Sequence, residues 1–174
     1  QTLTNKTLTS PTIGGTATMN ASVITSGTAQ ASPSGAYIDF TGIPSWVKRI
    51  TVMFNGVSTN GTSDLLVQLG TSGGITSSGY RSSASQGTSS ASSTAGFILT
   101  ASLASADTSD GIVTISLLGS NAWSASSALA NGASNTVRIG AGGVTLGGTL
   151  TQLRITTAGG VNTFDAGTIN IQYE

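Results

Sequence analysis

Alternation of apolar and polar side chains in short runs is the feature that most constrains the fold of this chain. In residues 47–54, Ile50, Val52 and Phe54 share one face of an extended strand, whereas more polar side chains dominate the other. The last run, residues 168–173, alternates in the same way. This pattern is typical of a strand with one buried face, because a helix repeats after about 3.6 residues.

Similar runs recur along the chain, separated by turns rich in glycine, serine and asparagine. Such spacing predicts an all-β fold, namely an antiparallel β-sandwich of the jelly-roll-like type. The Asn60-Gly61 pair in the turn 59–62 favours a hairpin between its flanking strands. Residues 124–131 could form at most a turn or two of helix, and the glycine-rich stretch 140–148 is interpreted as turns. The predicted strands are residues 36–41, 47–54, 64–69, 96–100, 111–118, 136–139, 150–156 and 168–173.

Composition excludes several classes of function. Charged residues make up 7% of the 174 residues, against about 25% in an average domain. The net charge is zero and the basic residues do not cluster, so nucleic acid is not expected as a partner. Cysteine and histidine are absent, which excludes disulfides, thiolate zinc sites and histidine bases, and we expect no cofactor and no metal. No apolar run approaches the roughly 18 residues of a membrane span, so no membrane insertion is expected.

The first residues repeat a five-residue frame. Leu3, Leu8 and Ile13 recur at every fifth position among threonines, a period that fits neither a helix nor an ordinary strand. One chain cannot bury so few apolar groups alone, but three identical chains wound side by side could place them on a common axis. We therefore expect residues 1–15 to form a short extended stalk in a homotrimer, and residues 16–174 to form the sandwich.

Three stretches resemble a known family. Residues 2–13 (TLTNKTLTSPTI), 35–70 (GAYIDFTGIPSWVKRITVMFNGVSTNGTSDLLVQLG) and 164–174 (FDAGTINIQYE) are similar to a C-terminal module of tail fibres and related receptor-binding proteins of tailed bacteriophages. The resemblance implies a trimeric, β-rich tip on the virion that is joined to the particle through its shaft and recognises a host cell-surface glycan or protein. Such modules also occur in other virion parts, so a structural role in a head fibre, decoration or collar is the alternative. Because the chain starts with glutamine, we expect it to be part of a longer protein.

The segment 71–95 contains the first candidate receptor-binding residues, Tyr80 and Arg81. It consists almost entirely of serine, glycine, threonine and alanine, a composition that adaptable recognition loops combine with an aromatic anchor. A plain surface excursion is the alternative, and a strand through residues 77–82 could instead carry Tyr80 into the core.

Asn121 and Trp123 are the other candidates, because exposed aromatics stack on sugar rings and amides hydrogen-bond their hydroxyls. An inward-facing Trp123 is the alternative, and Trp46 is expected to pack at a sandwich edge.

Catalysis has few residues to use. The chain has six carboxylic acids, and most of them lie at predicted turns, where aspartate is common. A glycoside hydrolase needs two carboxyl groups about 5 to 9.5 Å apart across a cleft, and the sequence cannot place any such pair. We therefore expect reversible receptor binding rather than an enzyme, with a polysaccharide depolymerase as a weaker alternative. The acids are Asp39, Asp64, Asp107, Asp110, Asp165 and Glu174.

Overall fold

The computed structural model describes residues 24–32 and 35–174. The regular secondary structure of this part of the chain is β-strand, together with one short 3-10 turn, Ala158–Gly160. Within it, no helix has the length and apolar character that crossing a membrane would require. The expected stalk, residues 1–15, and its boundary with the domain lie outside the described residues.

The strands, in chain order, are β1 Thr25–Ser26, β2 Gln30–Ala31, β3 Tyr37–Thr41, β4 Arg49–Thr59, β5 Leu65–Thr71, β6 Gly74–Ile75, β7 Arg81–Gln86, β8 Ser89–Ser93, β9 Phe97–Ile98, β10 Ser109–Gly119, β11 Ala122–Asn131, β12 Thr136–Thr145, β13 Gln152–Thr157 and β14 Phe164–Tyr173.

These strands form two sheets in which every pairing is antiparallel. The large sheet has the order β1-β14-β4-β10-β11-β12-β7-β8, and β2 also pairs with β14. The small sheet has the order β3-β13-β5-β6, and β9 also pairs with β5. One apolar cluster with members from both sheets forms the core, so the predicted all-β sandwich is confirmed.

The alternating pattern identifies the inner faces correctly. Ile50, Val52 and Phe54 of β4 are buried, as are Ile169 and Ile171 of the neighbouring strand β14. The intervening side chains of β4 are more exposed. Burial of one face of each strand supplies the main driving force, because a buried branched side chain stabilises the fold by about 1.5–3 kcal/mol.

The hairpin predicted at Asn60-Gly61 is wrong. Strand β4 pairs with β10 and β14 in the large sheet, whereas β5 belongs to the small sheet. Both edges of β4 are therefore occupied, and the turn carries the chain from one sheet to the other. Asn60 stabilises this corner, since its backbone N–H donates to Thr163 O at 3.0 Å and its side-chain oxygen accepts from Thr163 N at 3.0 Å.

Three segments that consist mostly of small residues also form strands. Residues 124–131, considered as a short helix, lie in β11, where Ala125, Ser127 and Leu129 face the core and the alternate serines and alanines face out. The glycine-rich stretch 140–148, interpreted as turns, begins within β12. The segment 71–95 contains β6 and the hairpin β7–β8, and is therefore not a loop. Small side chains can alternate between a buried and an exposed face as large ones do. Because serine and alanine differ little in hydropathy, the two-residue period of the strand is not visible in the sequence.

Candidate functional site

Tyr80 is a core residue. Its side chain is 1% exposed, and its hydroxyl accepts a hydrogen bond from Leu69 N at 2.7 Å. Its ring meets Phe97 edge to face, with the ring centroids 5.0 Å apart. Burial raises the pKa of Tyr80 to about 12, and the hydrogen bond with Leu69 opposes this only in part. The prediction of Tyr80 as a receptor contact is therefore corrected. The alternative of an inward Tyr80 agrees with its burial, but residues 77–80 precede β7 and do not form the strand expected there.

Trp123 is also buried, at 4% exposure, on the inner face of β11. Its indole N–H has no hydrogen-bond partner among the described residues. A ligand cannot stack on this ring, so its prediction as a receptor contact is corrected too. Asn121 lies beside it in the β10–β11 turn with φ of 60°, and its backbone oxygen accepts from Leu146 N at 3.0 Å. Of the four candidates, Arg81 alone has an exposed side chain.

The exposed aromatic residues lie elsewhere. Trp46 is 53% exposed and packs with a tilted geometry against Tyr173, at a centroid distance of 5.8 Å. It was expected at a sandwich edge, and it does contact one sheet, but half of its surface is open. Tyr37, at the start of β3, is 54% exposed. The Arg154 guanidinium lies against the Tyr37 ring and is paired with Asp39, and these residues form the candidate site.

The outer face of the small sheet brings this site together through strand register. Arg154 of β13 lies between Asp39 of β3 and Gln68 of β5. Thr156, two residues further along β13, pairs with Tyr37. In an antiparallel sheet the Cβ atoms of directly opposite residues are about 4.5–5.5 Å apart, so these side chains form one continuous polar surface.

Arg154 and Asp39 form the most ordered pair on this surface. The Nε and Nη2 of Arg154 donate to the two carboxylate oxygens of Asp39, each at 2.7 Å. The guanidinium carbon also lies 3.9 Å from the centroid of the Tyr37 ring. Hydrogen bonding to Asp39 raises the pKa of Arg154, and desolvation opposes the effect. The result is a neutral, planar pair that orients an exposed aromatic ring.

A depression of about 380 Å³ lies over this surface. On its floor the Gln68 Nε2 donates a hydrogen bond to Ala95 O at 2.8 Å. No described residue donates a hydrogen bond to the Gln68 Oε1 or accepts one from the Arg154 Nη1. Gly159 and Gly160, with φ of 80° and 65°, form a rim without side chains. The lining residues are Tyr37, Leu66, Gln68, Ser77, Ala95, Arg154, Thr156, Thr157, Gly159 and Gly160.

This arrangement can bind a ligand but offers no acid–base pair. An aromatic ring with planar hydrogen-bonding groups beside it suits the apolar face and hydroxyl edge of a sugar. The volume is within the range of about 300–1,000 Å³ that small-ligand sites occupy.

Each of the six carboxylates accepts a hydrogen bond from another residue of the domain or forms an ion pair with an arginine. Asp107 is the most buried, and it pairs with Arg138, whose side chain is fully buried. Desolvation would raise the pKa of Asp107, but hydrogen bonds from Ala104 N and the Asn131 side chain, together with the charge of Arg138, outweigh it and lower this pKa. The other contacts are Asp39 with Arg154, Asp64 with Thr100 and Leu103, Asp110 with Gly56, Asp165 with Ser58, and Glu174 with Arg49.

Sequence reasoning missed the site at Tyr37, although a signal was present. Tyr37 and Asp39 occupy the outward positions of one predicted strand, and Arg154 lies in another. In a chain with so few charges, an arginine and an aspartate within strands are informative. Their pairing depends on register between segments that are 115 residues apart, which the sequence alone cannot supply.

No protein family, curated protein or solved structure matches this chain.

Proposed function

We propose that this domain binds a host cell-surface glycan at the Tyr37 site, as the receptor-binding tip of a tailed-bacteriophage fibre. The observation that carries the proposal is the exposed Tyr37 ring, oriented by Arg154, which is itself fixed by two hydrogen bonds to Asp39. A ring held in this way loses little conformational freedom when a sugar stacks on it.

Charge and geometry favour a neutral sugar at this position. The Arg154–Asp39 pair has no net charge, so it presents hydrogen-bonding groups without attracting ions from a distance. Binding of this kind depends little on salt, because screening acts on unpaired charges. Affinity at one such open site is expected to be weak.

The fibre role accounts for weak binding at a single site. The resemblance of residues 2–13, 35–70 and 164–174 to fibre modules implies a homotrimer attached to the virion through its N-terminal stalk. Three copies in one fibre, and several fibres on one particle, raise the effective concentration of sites and lengthen residence on the cell. Localisation on the virion follows from the same proposal.

Substitution of Tyr37 tests the proposed site. Tyr37→Ala should weaken binding of the domain to purified host envelope polysaccharide by up to about ten-fold, since an aromatic contact is worth about 0.5–1.5 kcal/mol. Trp46→Ala is the matched control, because Trp46 is equally exposed but packs on Tyr173 instead. Binding is measured by isothermal titration calorimetry, with circular dichroism to verify folding. Equal losses in both variants, or none in Tyr37→Ala, would reject the Tyr37 site.

A structural role in the virion is the second candidate, and a separate observation favours it. Register aligns Met53, Ile112, Ala128 and Ile139 in one row on the outer face of the large sheet. Ile112 and Ile139 are 48% and 58% exposed. Exposed apolar patches of this kind often mark protein–protein contacts. A purely structural protein would bind none of the host polysaccharides in the same titrations.

A depolymerase remains a weaker alternative, since every carboxylate already serves a structural contact. Loss of chain length in host polysaccharide incubated with the domain would favour it.

A further inference from the structure

Arg81, at the start of β7, is a cation for which the described residues supply no partner. It is exposed, and no described residue accepts a hydrogen bond from it or forms an ion pair with it. The other three arginines are each paired with a carboxylate: Arg49 with Glu174, Arg138 with Asp107 and Arg154 with Asp39. In a chain that otherwise neutralises its arginines, the free guanidinium of Arg81 requires an explanation.

A trough of about 610 Å³ surrounds Arg81. Register places Gly143 beside Arg81, and Ala141 and Ser92 on either side of Ser83. The lack of a side chain at Gly143 leaves the guanidinium accessible across β12. Exposed hydroxyls of the trough residues Ser83, Ser92 and Thr94 have no hydrogen-bond partner within the described ranges.

A guanidinium among free hydroxyls is suited to an anion. The planar fork of arginine matches the two oxygens of a carboxylate or the edge of a phosphate, and hydroxyls can donate to the same oxygens. Serine and threonine add no competing charge. A neutral ligand would gain little from the charge of Arg81.

We propose that this Arg81 trough binds a carboxylate or phosphate substituent of the same glycan whose neutral sugar occupies the Tyr37 site. The inference rests on the proposed function. Thr94 lines the trough and Ala95 lines the Tyr37 depression, so consecutive residues of the chain take part in both depressions. Consecutive Cα atoms are about 3.8 Å apart, so the two depressions come close to each other at this point of the chain, where one oligosaccharide would contact both. The ligand is therefore an acidic surface polysaccharide.

Nuclear magnetic resonance titrations with small sugars test the trough directly. Glucuronate, a hexose phosphate and glucose are added separately, and the arginine Nε–H signals are followed. The Arg81 signal should shift saturably with one or both anions and not with glucose, and the responding anion identifies the substituent. Arg49, which is exposed but paired with Glu174, provides the internal reference. A response of Arg81 no larger than that of Arg49 would overturn the proposal.

Two variants distinguish specific anion binding at Arg81 from a nonspecific effect of the protein's net charge. Arg81→Gln should weaken the anion response of the Ser83 and Gly143 amide signals by about ten-fold or more, as expected for loss of a charged hydrogen bond. Lys48→Gln removes the same charge from an exposed residue that forms no ion pair within residues 24–32 and 35–174. Its neighbour Arg49 is four strands from Arg81 in register, about 19 Å, so this variant should leave the response unchanged. If both variants weakened the anion response equally, the response would depend on net charge alone, and the proposal that the trough is a binding site would be rejected.

An oligosaccharide of alternating glucose and glucuronate tests the connection between the two depressions. It should shift the Tyr37 ring signals and the Arg81 signal with one common affinity, tighter than that of glucuronate alone. Different affinities for the two sets of signals would contradict a shared ligand. The Tyr37 ring signals in the glucose titration report separately on the proposed function, so failure of that function is distinguishable from failure of the trough.

Discussion

At the scale of single residues, two buried serines show how the same hydroxyl can stabilise or destabilise this fold. The Oγ of Ser109 accepts a hydrogen bond from Nη1 of the fully buried Arg138 at 3.3 Å. The Oγ of Ser127 is buried without a partner in the part of the chain that the structure describes. A buried polar group without a partner costs about 1–3 kcal/mol, whereas a hydrogen bond to a charged group contributes about 1.5–3 kcal/mol.

The two alanine variants should therefore change stability in opposite directions. Ser127→Ala should raise the free energy of unfolding by about 1 kcal/mol, because the unpaired hydroxyl is removed. Ser109→Ala should lower it by about 1–3 kcal/mol, because the Arg138 guanidinium loses an acceptor in a buried position. Urea denaturation followed by tryptophan fluorescence measures both. A destabilised Ser127→Ala variant would indicate that this hydroxyl has a partner after all.

At the scale of strands, β12 shows why the large sheet contains glycine where a branched residue would be usual. A Cβ on Gly142 would lie 2.7 Å from Arg81 O and 3.0 Å from the Phe97 ring. A Cβ on the adjacent Gly143 would face outward, with its nearest contact at 3.6 Å from Trp123 O. The inward glycine therefore allows β7 and β9 to approach β12 closely.

Because of this difference, adding one methyl group at Gly142 and at Gly143 should change the stability of the domain by unequal amounts. Gly142→Ala should destabilise the domain by about 1–3 kcal/mol through overpacking, whereas Gly143→Ala should stay within about 0.5 kcal/mol of wild type. Thermal unfolding measured by circular dichroism compares the two variants, which differ only in the face that receives the methyl group. Similar melting temperatures would show that β12 can move away from β7.

Strand prediction from this sequence succeeds or fails according to side-chain size. β4, β10 and β14 were predicted because isoleucine, valine and phenylalanine alternate with polar residues. β7, β8 and β11 were missed because serine alternates with serine or alanine, and the two faces then differ little in hydropathy. Sheet membership was not predictable either, since the Asn60-Gly61 turn has hairpin composition but joins two sheets.

The same limit applies to the candidate sites. Arg81 was identified from the sequence because a large side chain stands out in a serine-rich segment. Tyr80 stood out for the same reason, but it lies just before β7, where its ring is buried and its hydroxyl accepts from Leu69 N of the small sheet. The Tyr37 site required the register of three strands, and local composition carries no information about that register.

At the scale of the whole molecule, Tyr80 connects the two sheets. It precedes β7 of the large sheet, and its hydroxyl accepts from Leu69 N in β5 of the small sheet at 2.7 Å. Phe97, which packs edge to face on its ring, belongs to β9 of the small sheet. A negative charge on this hydroxyl would therefore lie between the sheets, within the common core.

Alkaline pH should consequently destabilise the entire sandwich. The pKa of Tyr80 is raised to about 12 in the folded protein from 10.0, so the folded state holds this proton more tightly than the unfolded state. The resulting stabilisation is complete below pH 10 and is lost as the pH rises from 10 towards 12. A difference of about two pKa units corresponds to at most about 2.7 kcal/mol.

Urea denaturation at a series of pH values measures this loss. Tyr80→Phe should be less stable than wild type near pH 8, because Leu69 N loses its acceptor. Its free energy of unfolding should fall less steeply between pH 10 and 12, because the ionising hydroxyl has been removed. Parallel curves for the two proteins over this range would mean that other groups cause the alkaline destabilisation, and that Tyr80 does not couple the two sheets to pH.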